Sequence, residues 1–187
     1  MFSEIRVTHM AAYFLKREGG RIAYIKLLKL LYLAERKAMA KWGECISGDN
    51  FVSMPKGPVL SQTYDLIKGH GEAPDKTTPW YELIKDEANY EVSLIHDIQF
   101  DDLDELSPSE LQILDQTYNE FGGMSRFEIV DFTHDKCPEW EDPKGSSFPI
   151  KPESIFRAMG KNESQTQKLL KKHREQTQLD TLKSQLA

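Results

Sequence analysis

IAYIKLLKLLYLAERKAMAKW, residues Ile22–Trp42, is the stretch that decides the fold. Tyr24, Leu27, Leu28, Leu31, Ala34, Ala38 and Trp42 recur at three- and four-residue steps and draw one apolar line along a helix. Leu30 and Leu33 widen that line beyond what a single neighbour would cover, so the helix is expected at the centre, packed on more than one side. Lys26, Lys29, Arg36, Lys37 and Lys41 fall on the remaining face and read as a solvated basic stripe.

Upstream, Ser3 can cap a first helix carrying Val7, Met10, Ala11, Phe14 and Leu15, which Gly19-Gly20 ends. Downstream, Gly48-Asp49-Asn50 is turn chemistry and Phe51–Met54 a short strand. Pro58 suits the first position of a third helix, with Leu60, Tyr64 and Ile67 on one face and Gly69 and Gly71 as stops. Tyr90, Val92 and Leu94 alternate with polar residues, which predicts a second strand that could pair with Phe51–Met54. Ser107-Pro108-Ser109-Glu110 and Ser125-Arg126-Phe127-Glu128 are capping boxes that open two further helices.

Residues 141–149 read as a polar connector. Pro152 opens a short helix with Ile155, Phe156 and Met159, and Asn162 to Gln165 caps a last, polar one. That last helix carries Leu179 and Leu182 and is either a docked arm or a frayed tail. The expected fold is mainly α (α+β): a helical domain over 1–142 with a small antiparallel sheet, a connector and short helix over 143–160, and a polar C-terminal helix or tail over 161–187.

Of the 187 residues, 39% are hydrophobic and 29% charged, a globular balance with no apolar run long enough to span a bilayer. Glu4, Arg6 and His9 break any signal-peptide layout, so the expected compartment is the cytoplasm. Two cysteines, Cys45 and Cys137, agree with reducing surroundings, though a single bridge between them stays open. The net charge of −6 is uneven. Residues 1–60 carry ten Lys/Arg and five Asp/Glu, whereas residues 82–120 carry one Lys and twelve Asp/Glu. Such segments face each other, stand in solvent, or meet a charged protein partner. The acidic total speaks against nucleic acid as the main ligand.

Catalytic and cofactor signatures are missing. There is no phosphate-binding loop, dinucleotide glycine fingerprint, His-Glu-x-x-His or Gly-x-Ser-x-Gly elbow. His134-x-x-Cys137 has zinc-like spacing but no second pair of ligands, so no metal is expected. Asp131 and His134, three apart on a helix, could form a catalytic His–carboxylate pair or simply hold a helix end against Trp140. Asp97, Asp101, Asp102, Asp104 and Glu105 lack a calcium loop's glycine and spacing. No recognition helix of a helix-turn-helix stands out.

Two blocks of this sequence resemble one family. The first is Lys26–Ala34, then Ile46-Ser47-Gly48-Asp49, Phe51–Val59 and Tyr64. The second is Leu106–Asp115, Gly122, Ser125, Phe127–Asp131 and Thr133-His134, followed by Pro138 and Trp140. In this order they are similar to the Panacea domain of SocA-like antitoxins over roughly 5–142. Family members often bring the proline and tryptophan together; here Glu139 intervenes. The resemblance implies an antitoxin that neutralises a cognate toxin by direct protein contact, as found in mobile elements and phages. It also implies an alternative, an adaptor delivering the toxin to a protease. A hydrolase built on Asp131 and His134 and a DNA-binding regulator are the readings from other classes.

Neither a catalytic residue nor a cofactor is assigned. Leu28, Leu31, Tyr32, Asp131, His134 and Trp140 are expected to be structural. The partner surface is expected at the turn of Met54, Lys56, Gly57 and Pro58, with Tyr64 and the tail residues Leu179 and Leu182. A stiff Met-Pro-Lys-Gly-Pro turn is hard to bury, and methionine is an adaptable apolar contact.

Overall fold

The fold, a computed structural model, describes residues 1–69 and 77–186, so Gly71 lies outside the described residues. Its axis is helix α2 (Tyr24–Trp42), in which every residue from Lys26 to Glu35 is buried. Helix α1 (Glu4–Arg17), strand β3 (Gly57–Leu60) and helices α5 (Pro108–Phe121), α6 (Arg126–Lys136) and α7 (Pro152–Ala158) all pack on it. Leu27, Leu28, Leu30, Leu31 and Leu33 therefore point in every direction and are all buried. The molecule is mainly α with small antiparallel sheets.

The solvated basic stripe does not exist as one. Lys26 and Lys29 are buried, Arg36 is tucked against a carboxylate, and Lys37 is ion-paired with Glu120. Over Lys26–Glu35 the helix is surrounded on all sides and has no solvent face for a stripe to occupy; of the five cations only Lys41, near the helix end, is exposed. Each of the others finds its own partner: Lys26 meets Glu18 and the Gly122 carbonyl, both at 2.7 Å.

There are two three-stranded sheets among the described residues. One has the order β1 (Arg21–Ala23), β5 (Glu91–Leu94), β4 (Ile84–Glu87); the other has β3, β2 (Phe51–Met54), β6 (Phe148–Pro149). The expected pairing of Phe51–Met54 with residues 90–94 is thus corrected. β2 pairs with β3 across only Pro55-Lys56, and β5 with β4 across Ala88–Tyr90. Local hairpins close short loops and win over a distant pairing on chain entropy. Tyr90 is not a strand residue but sits in that turn at φ 63, exposed. Pro58 does not start a helix either. It lies in β3 opposite Ser53, an edge strand where proline's missing N–H is tolerated, and α3 runs Ser61–Lys68.

Both capping boxes form: Ser107 with Glu110 and Ser125 with Glu128. The polar connector enters the second sheet through Phe148 and Pro149. Ile150, Ile155 and Phe156 join the same apolar cluster as α2. Helix α8 (Glu163–Leu186) is capped by Asn162 and Gln165 and buries Thr166 and Leu170, while its outer half is exposed.

The segregated charges meet within the chain. Arg6 pairs with Glu110, Lys16 with Asp97, Arg17 with Asp115, Arg21 with Glu91 and Lys37 with Glu120. Partly exposed pairs of this kind contribute little each, but they fix which acidic segment lies on which basic one. Both cysteines are free, and no described helix is long and apolar enough to cross a membrane.

Candidate functional site

One side of α2 carries polar residues at Lys29, Tyr32, Glu35 and Arg36, at successive three- and four-residue steps. Together they fasten three loops. Lys29 Nζ donates to the Pro58 carbonyl at 2.9 Å. Burial holds its ammonium down to about 7. Tyr32 Oη donates to Glu139 Oε1 at 2.6 Å, and Arg36 binds the same carboxylate through Nε and through Nη2 at 3.1 Å. Glu35 accepts the backbone N–H of Ile46 at 2.6 Å, that of Ser47 at 2.7 Å, and the Ser47 hydroxyl at 2.5 Å. Burial pushes its carboxyl up to about 7, against these three donors. The loop that Glu35 holds presents Asp49, which caps α3 by accepting from Thr63 N at 2.8 Å, Thr63 Oγ1 at 2.7 Å and Gln62 N at 3.0 Å.

The β2–β3 hairpin is latched from its other side. Trp140 Nε1 donates to the Met54 carbonyl at 2.9 Å, and His134 stacks on the Trp140 ring at 4.4 Å and 14°. Gly57 is where the parts crowd together. At φ +93 it adopts a conformation that side chains rarely accept. A Cβ there would also lie 2.8 Å from Lys29 Nζ and 3.0 Å from both His134 and Thr133. Cys137, beneath the latch, is fully buried, and burial raises its thiol to about 12, so it stays a thiol.

Fixed in this way, the hairpin leaves Pro55 and Lys56 exposed and Met54 half-buried. With Tyr24, Ile25 and Leu28 of α2 and Tyr64 and Lys68 of α3 it bounds an open groove of about 570 Å³. Met54, Lys56, Gly57 and Tyr64, expected as partner residues, thus line one groove. Pro58 is buried behind it, its carbonyl taken by Lys29. Leu179 and Leu182 are exposed on α8 and do not line it. Helix α8 docks on Gly43 through His173, 3.2 Å from the Gly43 carbonyl, at the other end of α2. At about 1.5 Å rise per residue, roughly 27 Å of helix separates the two places.

Leu28, Leu31, Tyr32, His134 and Trp140 all lie in or against this framework. Asp131 is exposed on α6, and no hydrogen bond or ion pair joins it to His134 among the described residues. Among the described residues His134 Nε2 is buried without a hydrogen-bond partner. From sequence, Lys29 falls on a solvated stripe, Glu139 stands out only as a departure from the family pattern, and Glu35 is not named. Their signal was present: Lys29 and Glu35 sit inside an apolar run, and Glu139 splits the expected proline–tryptophan pair.

A scan of known families matches residues 27–141 to the antitoxin SocA-like, Panacea domain. That range begins on α2 and ends just past the Glu139–Trp140 latch, so it contains each loop that α2 fastens. No curated protein and no solved structure matches the chain. With the match covering more than half its length, the chain belongs to the SocA-like antitoxin family, through its Panacea domain.

Proposed function

We propose that this protein is an antitoxin that neutralises a protein toxin in the cytoplasm by binding it directly, through the β2–β3 turn and the groove beside it. The observation that carries this reading is how residues within the two blocks that resemble the family are used. Lys29, Tyr32, Asp49, Gly57, His134 and Trp140 are spent on one another and on backbone, and what they hold out to solvent is a rigid turn next to an open groove. An inhibitor needs that kind of prepared surface, because ordering a loop on binding costs affinity. Two free thiols agree with a reducing compartment.

The exposed leucines of α8 form a second candidate contact, independent of the groove. Because Thr166 and Leu170 are buried, a chain ending at Arg174 removes Leu179 and Leu182 without uncovering the core. The test is co-expression with the product of a neighbouring gene that by itself arrests growth, the toxin that the family membership leads one to look for. Growth is rescued and the two proteins co-purify, Met54→Asp weakens both, and the shortened chain reports separately on α8. Rescue without a complex would sink direct binding, and an undiminished complex with Met54→Asp would move the contact away from the turn.

A further inference from the structure

The basic side chains of this protein are unevenly satisfied. Arg6, Lys16, Arg17, Arg21, Lys26, Arg36 and Lys37 each meet a carboxylate of the same chain. Three lysines without an ion pair among the described residues gather at the groove. Lys56 stands exposed at the hairpin corner. Lys68, on the opposite wall, donates to Tyr24 Oη at 2.7 Å and lies 4.0 Å above that ring. The carboxylate that feels its charge is Asp86, on the neighbouring strand and outside the groove. Lys29 Nζ lies directly behind the Gly57 wall. Among the described residues no Asp or Glu lines the groove, in a chain of net charge −6. Tyr24, Ile25 and Met54, each half-buried, give it an apolar surface backed by the buried Leu28 and Val59, and Ser146 and Ser147 a hydroxyl rim.

We propose that this groove receives a short extended segment of the partner protein in which an apolar or aromatic residue is flanked by Asp or Glu. The apolar side chain rests on Tyr24, Ile25 and Met54, and the carboxylates lie between Lys56 and Lys68. The volume, about 570 Å³, falls within the roughly 300–1,000 Å³ of small-ligand sites and holds a few residues of extended chain. An ammonium on each wall, and no acid among the described lining residues, favours this charge pattern and disfavours a basic one. The inference rests on the reading above only in taking the ligand to be a protein.

The experiment pans phage-displayed twelve-residue peptides on the immobilised full chain. Peptides with Asp or Glu beside an aromatic or aliphatic residue are enriched. Made with both ends blocked, they bind Lys56→Glu and the double variant Lys56→Glu/Lys68→Gln at least about tenfold more weakly, and Lys41→Glu as before. Peptides with the acids exchanged for Lys regain affinity for Lys56→Glu. Selection of neutral or basic peptides, no selection, or acidic peptides indifferent to Lys56 would overturn the proposal. So would a single-stranded oligonucleotide of matched charge that binds at Lys56 and Lys68 more tightly than any selected peptide, or self-association that these substitutions abolish. If wild-type chain fails to rescue cells from the toxin while the peptide result holds, only the antitoxin reading falls. If rescue persists in the double variant, only the groove's role does.

Discussion

Helices α2 and α8 reverse the usual arrangement in opposite directions. In α2, Lys29 and Glu35 are wholly buried among leucines; in α8, Leu179 and Leu182 stand in solvent at 52% and 55% exposure among Lys, Gln and Thr. The difference lies in what surrounds each helix. α2 is enclosed by four helices and a strand, so every polar group on it must find a partner inside, and it does so by holding loops in place. α8 packs its first half against α7 and the end of α2, and past His173 it meets the start of the chain through a polar contact, Asp180 with the Met1 amino group at 2.6 Å. Buried polar residues here determine the shape of a surface some distance away, while exposed apolar ones are left for something else to cover.

Four measurements would break or sharpen that contrast. The largest effect is expected from Glu139→Ala, which strands Arg36 and Tyr32 in the interior and should cost about 3–5 kcal/mol in urea unfolding. A cost under about 1 kcal/mol would mean that solvent reaches the latch. Next, Leu31→Ala, at a fully buried site on α2, should cost about 2–5 kcal/mol through the cavity it leaves.

Third, Glu35→Gln should cost about 1–3 kcal/mol at pH 8, since an amide offers only one oxygen to three donors. It also has a pH signature. With its carboxyl raised from 4.5 to about 7, the folded protein binds a proton more tightly than the unfolded chain, so Glu35 makes stability fall between those values as pH rises. Lys29, lowered from 10.5 to about 7, does the reverse and makes stability climb between 7 and 10.5. Together they place a shallow minimum near neutrality. Glu35→Gln should flatten the acid limb and leave the alkaline one, as read from urea midpoints at pH 5, 7 and 9. The smallest effect belongs to α8: Leu179→Ala should alter stability by less than about 0.5 kcal/mol. A loss above 1 kcal/mol would show that this leucine is covered in solution.

Much of the framework was legible in the chain. The three- and four-residue recurrence in Ile22–Trp42 gives a helix packed on several sides because only burial on several sides explains leucines all round. Ser107 and Ser125, each three residues before a glutamate, mark helix starts through local hydrogen bonds that need no tertiary context. The turn at Met54–Gly57 and Tyr64 could be named as candidates for a surface because proline and glycine limit what the backbone there can do. The tail leucines were equally visible, but nothing in their spacing tells how far from the turn they would lie.

What the sequence by itself determined is the set of local elements, their caps and the resemblance to a family, because periodicity, turn chemistry and motif order are properties of neighbouring residues. Only the tertiary structure decided which strands pair, that Lys26 and Lys29 are buried, that Glu139 anchors the latch, and that Lys29, Lys56 and Lys68 come together around one groove. Those outcomes depend on which distant residue occupies the space beside each side chain. A lysine carries the same charge whether water, a carbonyl or a carboxylate is next to it, and the free energy of placing it there is set by that neighbour.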